Sequence, residues 1–127
     1  MITRRFLSLL LLSLAFLTAC SGPRRMSQVQ VGVWAAEHDL WEEAVFRWSR
    51  VLQKNPSSAV AHNNLAVAYE KKGLFSEARR EYEQALKIAP NHVQIKANFQ
   101  RFRLAQESRE DRESKKKSAE EKKDETL

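Results

Sequence analysis

The sequence predicts an all-α fold, a solenoid of two helix-turn-helix repeats closed by a C-terminal capping helix. Three observations predict it. Residues 25–58 and 59–92 superimpose without a gap at a spacing of 34, pairing Val31 with Leu65, Gly32 with Ala66, Ala44 with Ala78, Trp48 with Tyr82 and Val51 with Ala85. The small residues Gly32, Ala44, Ala66 and Ala78 let helix backbones approach closely, and Trp48 and Tyr82 fill the space beside them. Pro56 pairs with Pro90, and each ends a second helix because proline lacks the amide hydrogen and clashes with the preceding turn. An ordinary four-helix bundle is the alternative, but amphipathic patterning alone seldom aligns small, aromatic and proline positions together.

The elements follow in chain order. Residues 1–19 begin Met-Ile-Thr-Arg-Arg and continue in an apolar run from Phe6 to Leu17 broken only by Ser8 and Ser13. A charged start before a short apolar core is the order of a secretory signal, and the run is shorter than the ~20 residues a spanning helix needs. Cys20 is the sole cysteine, so an exported chain could form no internal disulfide with it. The residues Leu17-Thr18-Ala19-Cys20 resemble the lipobox of bacterial lipoproteins. That resemblance implies cleavage before Cys20 and a covalent lipid on its thiol; a free thiol behind an ordinary signal is the plainer alternative. Ser21 after the cysteine implies, by the same resemblance, the periplasmic face of the outer membrane. Residues 20–25 would then be the lipidated tether, with Ser21 to Arg25 reaching at most roughly 17 Å. Arg24 and Arg25 would meet anionic headgroups, or serve solubility alone.

Residues 26–106 form the predicted repeat domain. Its first repeat departs from the second at Gln28 against His62, Ala35 against Tyr69, and Asp39 against Gly73. The capping helix, 92–106, carries Ile95, Phe99, Phe102 and Ala105 at helical spacing, as a face against the helix from Phe75 to Ile88. Two repeats and a cap make a small core, so a partner or a second copy would complete it; a homodimer is one such assembly. Residues 107–127 hold interleaved acids and bases and no apolar side chain larger than Ala119 until Leu127, so this tail is expected to be partly helical or disordered.

Composition excludes several function classes. The chain carries a formal charge of +6, falling to about +4 if Arg4 and Arg5 leave with the signal. Its basic residues are interleaved with acids and form no aromatic-lined stripe, so no nucleic-acid partner is expected. His38, His62 and His92 stand near helix ends with no second ligand at metal spacing. Glu42 with Glu43, and Glu81 with Glu83, are expected on outer helix faces, too exposed to share a proton. No catalytic residue, metal or cofactor is expected beyond a lipid on Cys20, and no enzyme activity. Trp34, Trp41, Phe46 and Trp48 crowd the first repeat, and Phe46 stands where the second has Arg80, on a normally exposed side.

The second repeat resembles the tetratricopeptide repeat. It has Leu65, Ala66 and Tyr69 in its first helix, Gly73 in the turn, then Phe75, Ala78, Tyr82, Ala85 and Pro90. The resemblance implies a concave surface built by first helices. Carried over by position, this surface is Val29, Gln30 and Val33 from repeat one, Asn63, Asn64, Val67, Glu70 and Lys71 from repeat two, and Ala97, Asn98 and Arg101 from the cap. Valines accept apolar side chains and asparagines offer both donor and acceptor to an extended backbone. A carboxylate clamp of the chaperone-binding type is not implied, because only Asn64 stands at one of its positions. The expected role is that of a membrane-anchored adaptor whose partner is an envelope protein or peptide, in assembly or localisation of a bacterial envelope complex. The alternative is a self-associating or wall-contacting spacer whose charged tail carries the role.

Overall fold

A computed structural model describes residues 26–124. The predicted signal, Cys20 and the tether lie outside the described residues. Within them are five helices and no strand: α1 (Gln28–Glu37), α2 (Trp41–Lys54), α3 (Ala59–Lys71), α4 (Phe75–Ile88) and α5 (Val93–Asp124). The helices pack in sequence, α1 on α2, α2 on α3 and α3 on α4, and α5 then lies against α4 and α3. This is an all-α helical-repeat fold.

The spacing of 34 is written into the backbone. Leu40 donates to the Ala35 carbonyl and Leu74 to that of Tyr69, each at 2.9 Å. Asn55 donates to Val51 and Ala89 to Ala85, closing α2 and α4 just before their prolines. His62 donates to Ser58 and Lys96 to His92, so α5 enters as a third first helix. In the turn of repeat two Gly73 has φ +74, and in repeat one Asp39 takes the same left-handed conformation at φ +58. Aspartate tolerates that region through local hydrogen bonding, but its Cβ crowds the carbonyl. Asp39→Gly should therefore be neutral or stabilising by up to about 1 kcal/mol, whereas Gly73→Ala should cost about 1 kcal/mol or more. Urea unfolding of the two variants checks the opposite signs.

Helix starts are set by hydroxyls. Ser27 and Gln30 form a reciprocal capping box at α1, with Ser27 N–H on the Gln30 oxygen at 2.8 Å and Gln30 N–H on Ser27 Oγ at 3.3 Å. Ser58 caps α3 through the Ala61 amide. No side chain caps α2 or α4, whose first turns instead carry Glu42 and Glu43, and Glu77, where the helix dipole favours acids.

Two cores are related by one repeat. The first gathers Ala35, Ala44, Trp48, Leu65 and Ala68, and the second Ala66, Ala78, Tyr82 and Phe102. Volume is traded between them. The larger Trp48 needs Gly32 and meets Ala68, whereas the smaller Tyr82 leaves room for Ala66 and Phe102. A Cβ added to Gly32 would stand 2.7 Å from Cε2 and 2.8 Å from Cδ1 of Trp48, closer than real Cβ atoms come. The Trp48 indole N–H also donates to the Val29 carbonyl at 3.3 Å, which fixes the ring in that slot.

The cap differs from expectation in two ways. Ile95 and Phe102 are fully buried and Phe99 half-buried, but Ala105 is exposed. The covered stripe moves instead to Gln106 and Arg109, both half-buried, as 3.6 residues per turn require of a face continuing from Phe102. Second, α5 does not end at 106. It runs unbroken to Asp124, with the Arg109 guanidinium over the Phe75 ring at 4.0 Å and i,i+4 pairs at Arg103–Glu107 and Lys116–Glu120.

Between repeats, Lys72 reaches Glu42 at 3.0 Å. That hydrogen bond holds the Glu42 carboxyl below its ordinary value. A depressed carboxyl contributes stability above its unfolded pKa and loses it as pH falls through the folded value, so this bridge opens in acid.

Candidate functional site

The first helices α1, α3 and α5 line one side of the molecule and enclose a groove of about 370 Å³. Ranks of residues separated by 34 cross it. One rank is Val33, Val67 and Arg101; the next is Asn64 and Asn98, whose counterpart on α1, Gln30, lies outside the lining. Trp48 of α2 lies at its floor, and Ala36, Glu37 and Gln94 complete its wall.

The polar centre of the groove is a chain of amides. Asn98 Nδ2 donates to Asn63 Oδ1 at 3.0 Å, and Asn63 Nδ2 donates to Asn64 Oδ1 at 3.2 Å. Asn63 is buried at 7 % exposure, and this pairing satisfies it there. The chain has a direction. It leaves the Asn64 NH2 as a donor at one end and the Asn98 carbonyl as an acceptor at the other, which are the groups a peptide C=O and N–H require.

Of the residues expected in the groove, Val33, Asn63, Asn64, Val67, Asn98 and Arg101 line it. Four others have different partners. Val29 turns its carbonyl to the Trp48 indole, and Gln30 is held in the capping box of α1. Glu70 accepts from the Tyr82 hydroxyl at 3.1 Å, and the Lys71 ammonium sits 5.9 Å from the Trp41 ring centroid. Ala97 is exposed outside the lining. Trp48, Ala36, Glu37 and Gln94 lie outside the carried-over set: Trp48 reads as core from sequence, and the others stand one turn from Val33 or Asn98.

Burial raises the Tyr82 hydroxyl pKa well above its ordinary 10, with the Glu70 carboxylate adding to the rise. A raised pKa contributes stability below the unfolded value that is lost as pH climbs through the folded one. Unfolding monitored above pH 10 should therefore show a loss of stability that Tyr82→Phe diminishes.

Outside the groove, His62 joins its own repeat to the end of the first. One ring nitrogen faces Glu81 at 2.6 Å and the other the Pro56 carbonyl at 2.9 Å. Glu81 is therefore a half-buried partner of His62 and not the solvated outer-face carboxylate expected. Phe46 is 49 % exposed, with Arg47 and Arg50 over its ring. Among the described residues no group of three His, Cys, Asp or Glu side chains is placed to hold a metal ion.

Comparison with known proteins matches residues 59–92 to the tetratricopeptide repeat. The matched segment is α3 and α4 with the turn between them and the link into α5. No curated protein matches the chain.

Proposed function

We propose that this chain is a membrane-anchored adaptor that grips an extended segment of an envelope protein, a reading supported by the match of residues 59–92 to the tetratricopeptide repeat, whose members generally mediate protein–protein interaction. The groove of α1, α3 and α5 carries the reading. Val33 and Val67 offer apolar contact, and the amide chain between them and Asn98 ends in one open donor and one open acceptor. An extended peptide presents the same two groups along its backbone.

The anchor rests on sequence. Leu17-Thr18-Ala19-Cys20 behind a short apolar run supports a diacylglyceryl thioether on Cys20, and two or more acyl chains hold a protein stably on a bilayer at ~0.8 kcal/mol per buried methylene. The proposed site is the periplasmic face of the outer membrane, where the adaptor would help assemble or localise an envelope complex. Crosslinking in the native host, followed by affinity purification from membranes and mass spectrometry, tests this. One envelope assembly recovered with the native chain and absent with Cys20→Ser supports it. Recovery of the chain alone, or equal recovery with Cys20→Ser, overturns the anchored adaptor.

A second reading is favoured by α5. Beyond Arg109 the helix continues from Glu110 to Asp124, about 22 Å at 1.5 Å per residue, with solvated charges on every side described. Such an arm is a spacer. Deleting 110–127 leaves every packed residue of α5 in place, so loss of function in that variant with an intact groove would assign the role to the arm.

A further inference from the structure

Phe46, Arg50 and Lys54 form a row along the exposed side of α2, at intervals of four residues and over about 12 Å. Phe46 stands two residues from Trp48, a turn of about 200° on a helix, so the row points away from the groove whose floor Trp48 forms. The repeat does not require such a row: the same positions of α4 are Arg80, Gln84 and Ile88. Of the two guanidinium groups over the Phe46 ring, that of Arg47 is paired with Glu43. Arg50, 5.7 Å from the ring centroid, has no acid against it among the described residues, and neither has Lys54.

The row also lies where the chain enters the fold. Arg47 donates to the side-chain oxygen of Gln28, the first residue of α1, at 3.1 Å. Gln28 is eight residues from Cys20, at most roughly 28 Å of extended chain, and Arg24 and Arg25 fall between them. A lipid on Cys20 would hold this end of α2 within reach of the headgroups. An exposed ring with unpaired bases on the same side of a helix suits that boundary, because the ring enters beside the acyl chains while the bases meet phosphates. We propose, resting on the anchored reading above, that Phe46, Arg50 and Lys54 are a docking face for the anionic phospholipid surface to which Cys20 is anchored. Docked there, the domain turns its groove away from the bilayer and leaves it open to a partner.

On this reading the lipid occupies the only thiol of the native chain, so a spin label added to lipidated Gln53→Cys reports from that position alone. Gln53 is exposed between Arg50 and Lys54. The chain is purified from host membranes and inserted into phosphatidylcholine vesicles with or without phosphatidylglycerol, and collisions of the label with oxygen and with an aqueous nickel chelate are read by paramagnetic resonance. Ala97→Cys, exposed on α5, carries the comparison label. With phosphatidylglycerol present, the label at Gln53→Cys should lose chelate collisions and gain oxygen collisions, while that at Ala97→Cys stays aqueous. Each base near an anionic surface shifts the equilibrium roughly fivefold, so Arg50→Glu in the labelled chain should lower the docked-to-undocked ratio at least that much. Phe46→Ser should lower it as well, with circular dichroism unchanged in both. Shielding that is the same in the two kinds of vesicle, survives Arg50→Glu, or is equal at Ala97→Cys would overturn the docking face and leave the anchor intact. A native chain that itself takes up label has a free Cys20 thiol, which would overturn the anchor and the docking face together.

Discussion

Phe102→Ala should cost about 3–5 kcal/mol, the range for emptying a fully buried aromatic site, and should release α5 from the solenoid. Phe102 is wholly buried, with its ring 5.4 Å from Tyr82 and 6.3 Å from Phe99, and with the Arg79 guanidinium 5.8 Å above it. Among the described side chains of α5 only Ile95 is as deeply covered. The cap is held by few side chains, so the loss of one is a large share of its docking. Limited proteolysis should then cut within α5 while α1 to α4 persist, and groove binding should fall because Asn98 and Arg101 leave with the helix. Retention of full protease resistance would show that Ile95, Phe99 and Arg109 dock α5 without Phe102.

Trp48→Ala should cost a similar ~3–5 kcal/mol, and it exposes a coupling that the spacing of 34 conceals. Gly32 and Trp48 are one contact seen from two sides, since a Cβ at Gly32 would enter the indole. Gly32→Ala alone is expected to destabilise by about 1–3 kcal/mol through overpacking. In the Trp48→Ala background the new methyl fills part of the cavity, so the double variant should be more stable than the sum of the single effects. A double-mutant cycle in urea reads this directly, and strict additivity would place the two residues out of contact. The glycine is set by packing here, not by its backbone angles.

Much of the fold was legible because a repeat states its constraints more than once. The pairs Gly32/Ala66, Ala44/Ala78, Trp48/Tyr82 and Pro56/Pro90 mark the closest helix approaches and the ends of α2 and α4, and the same spacing puts His92, Ile95, Phe99 and Phe102 at the positions of a third first helix. The length of α5 was not legible. A charged segment with no apolar face gives no periodic signal, and its helicity depends on a chain already wound by the docked part and on pairs such as Lys116–Glu120. Nor could Arg109 be read as packed, since its stem and guanidinium cover Phe75 only once the helix has passed Ala105 without a break.

The groove was legible as a face and less so as a list of side chains. Position in a repeat says which way Val33, Asn64, Val67 and Asn98 point. It does not say what lies across from them. Gln30 and Glu70 share that face, but a capping serine and a buried tyrosine hydroxyl claim their polar atoms. Lys71 bends toward an aromatic ring at the start of α2. Asn63 was read as a lining residue, and its structural part is larger: it is the buried middle of the amide chain that joins α3 to α5.

On the proposed reading, this groove is where the protein meets its partner. The most direct test is the crosslinked affinity purification carried out with the native chain beside Asn64→Ala/Val67→Glu, both full-length and matched for helicity and membrane recovery. One defined set of envelope proteins should be retained by the native chain and lost by the double variant. The same set retained by both would contradict it and move the interaction off the groove.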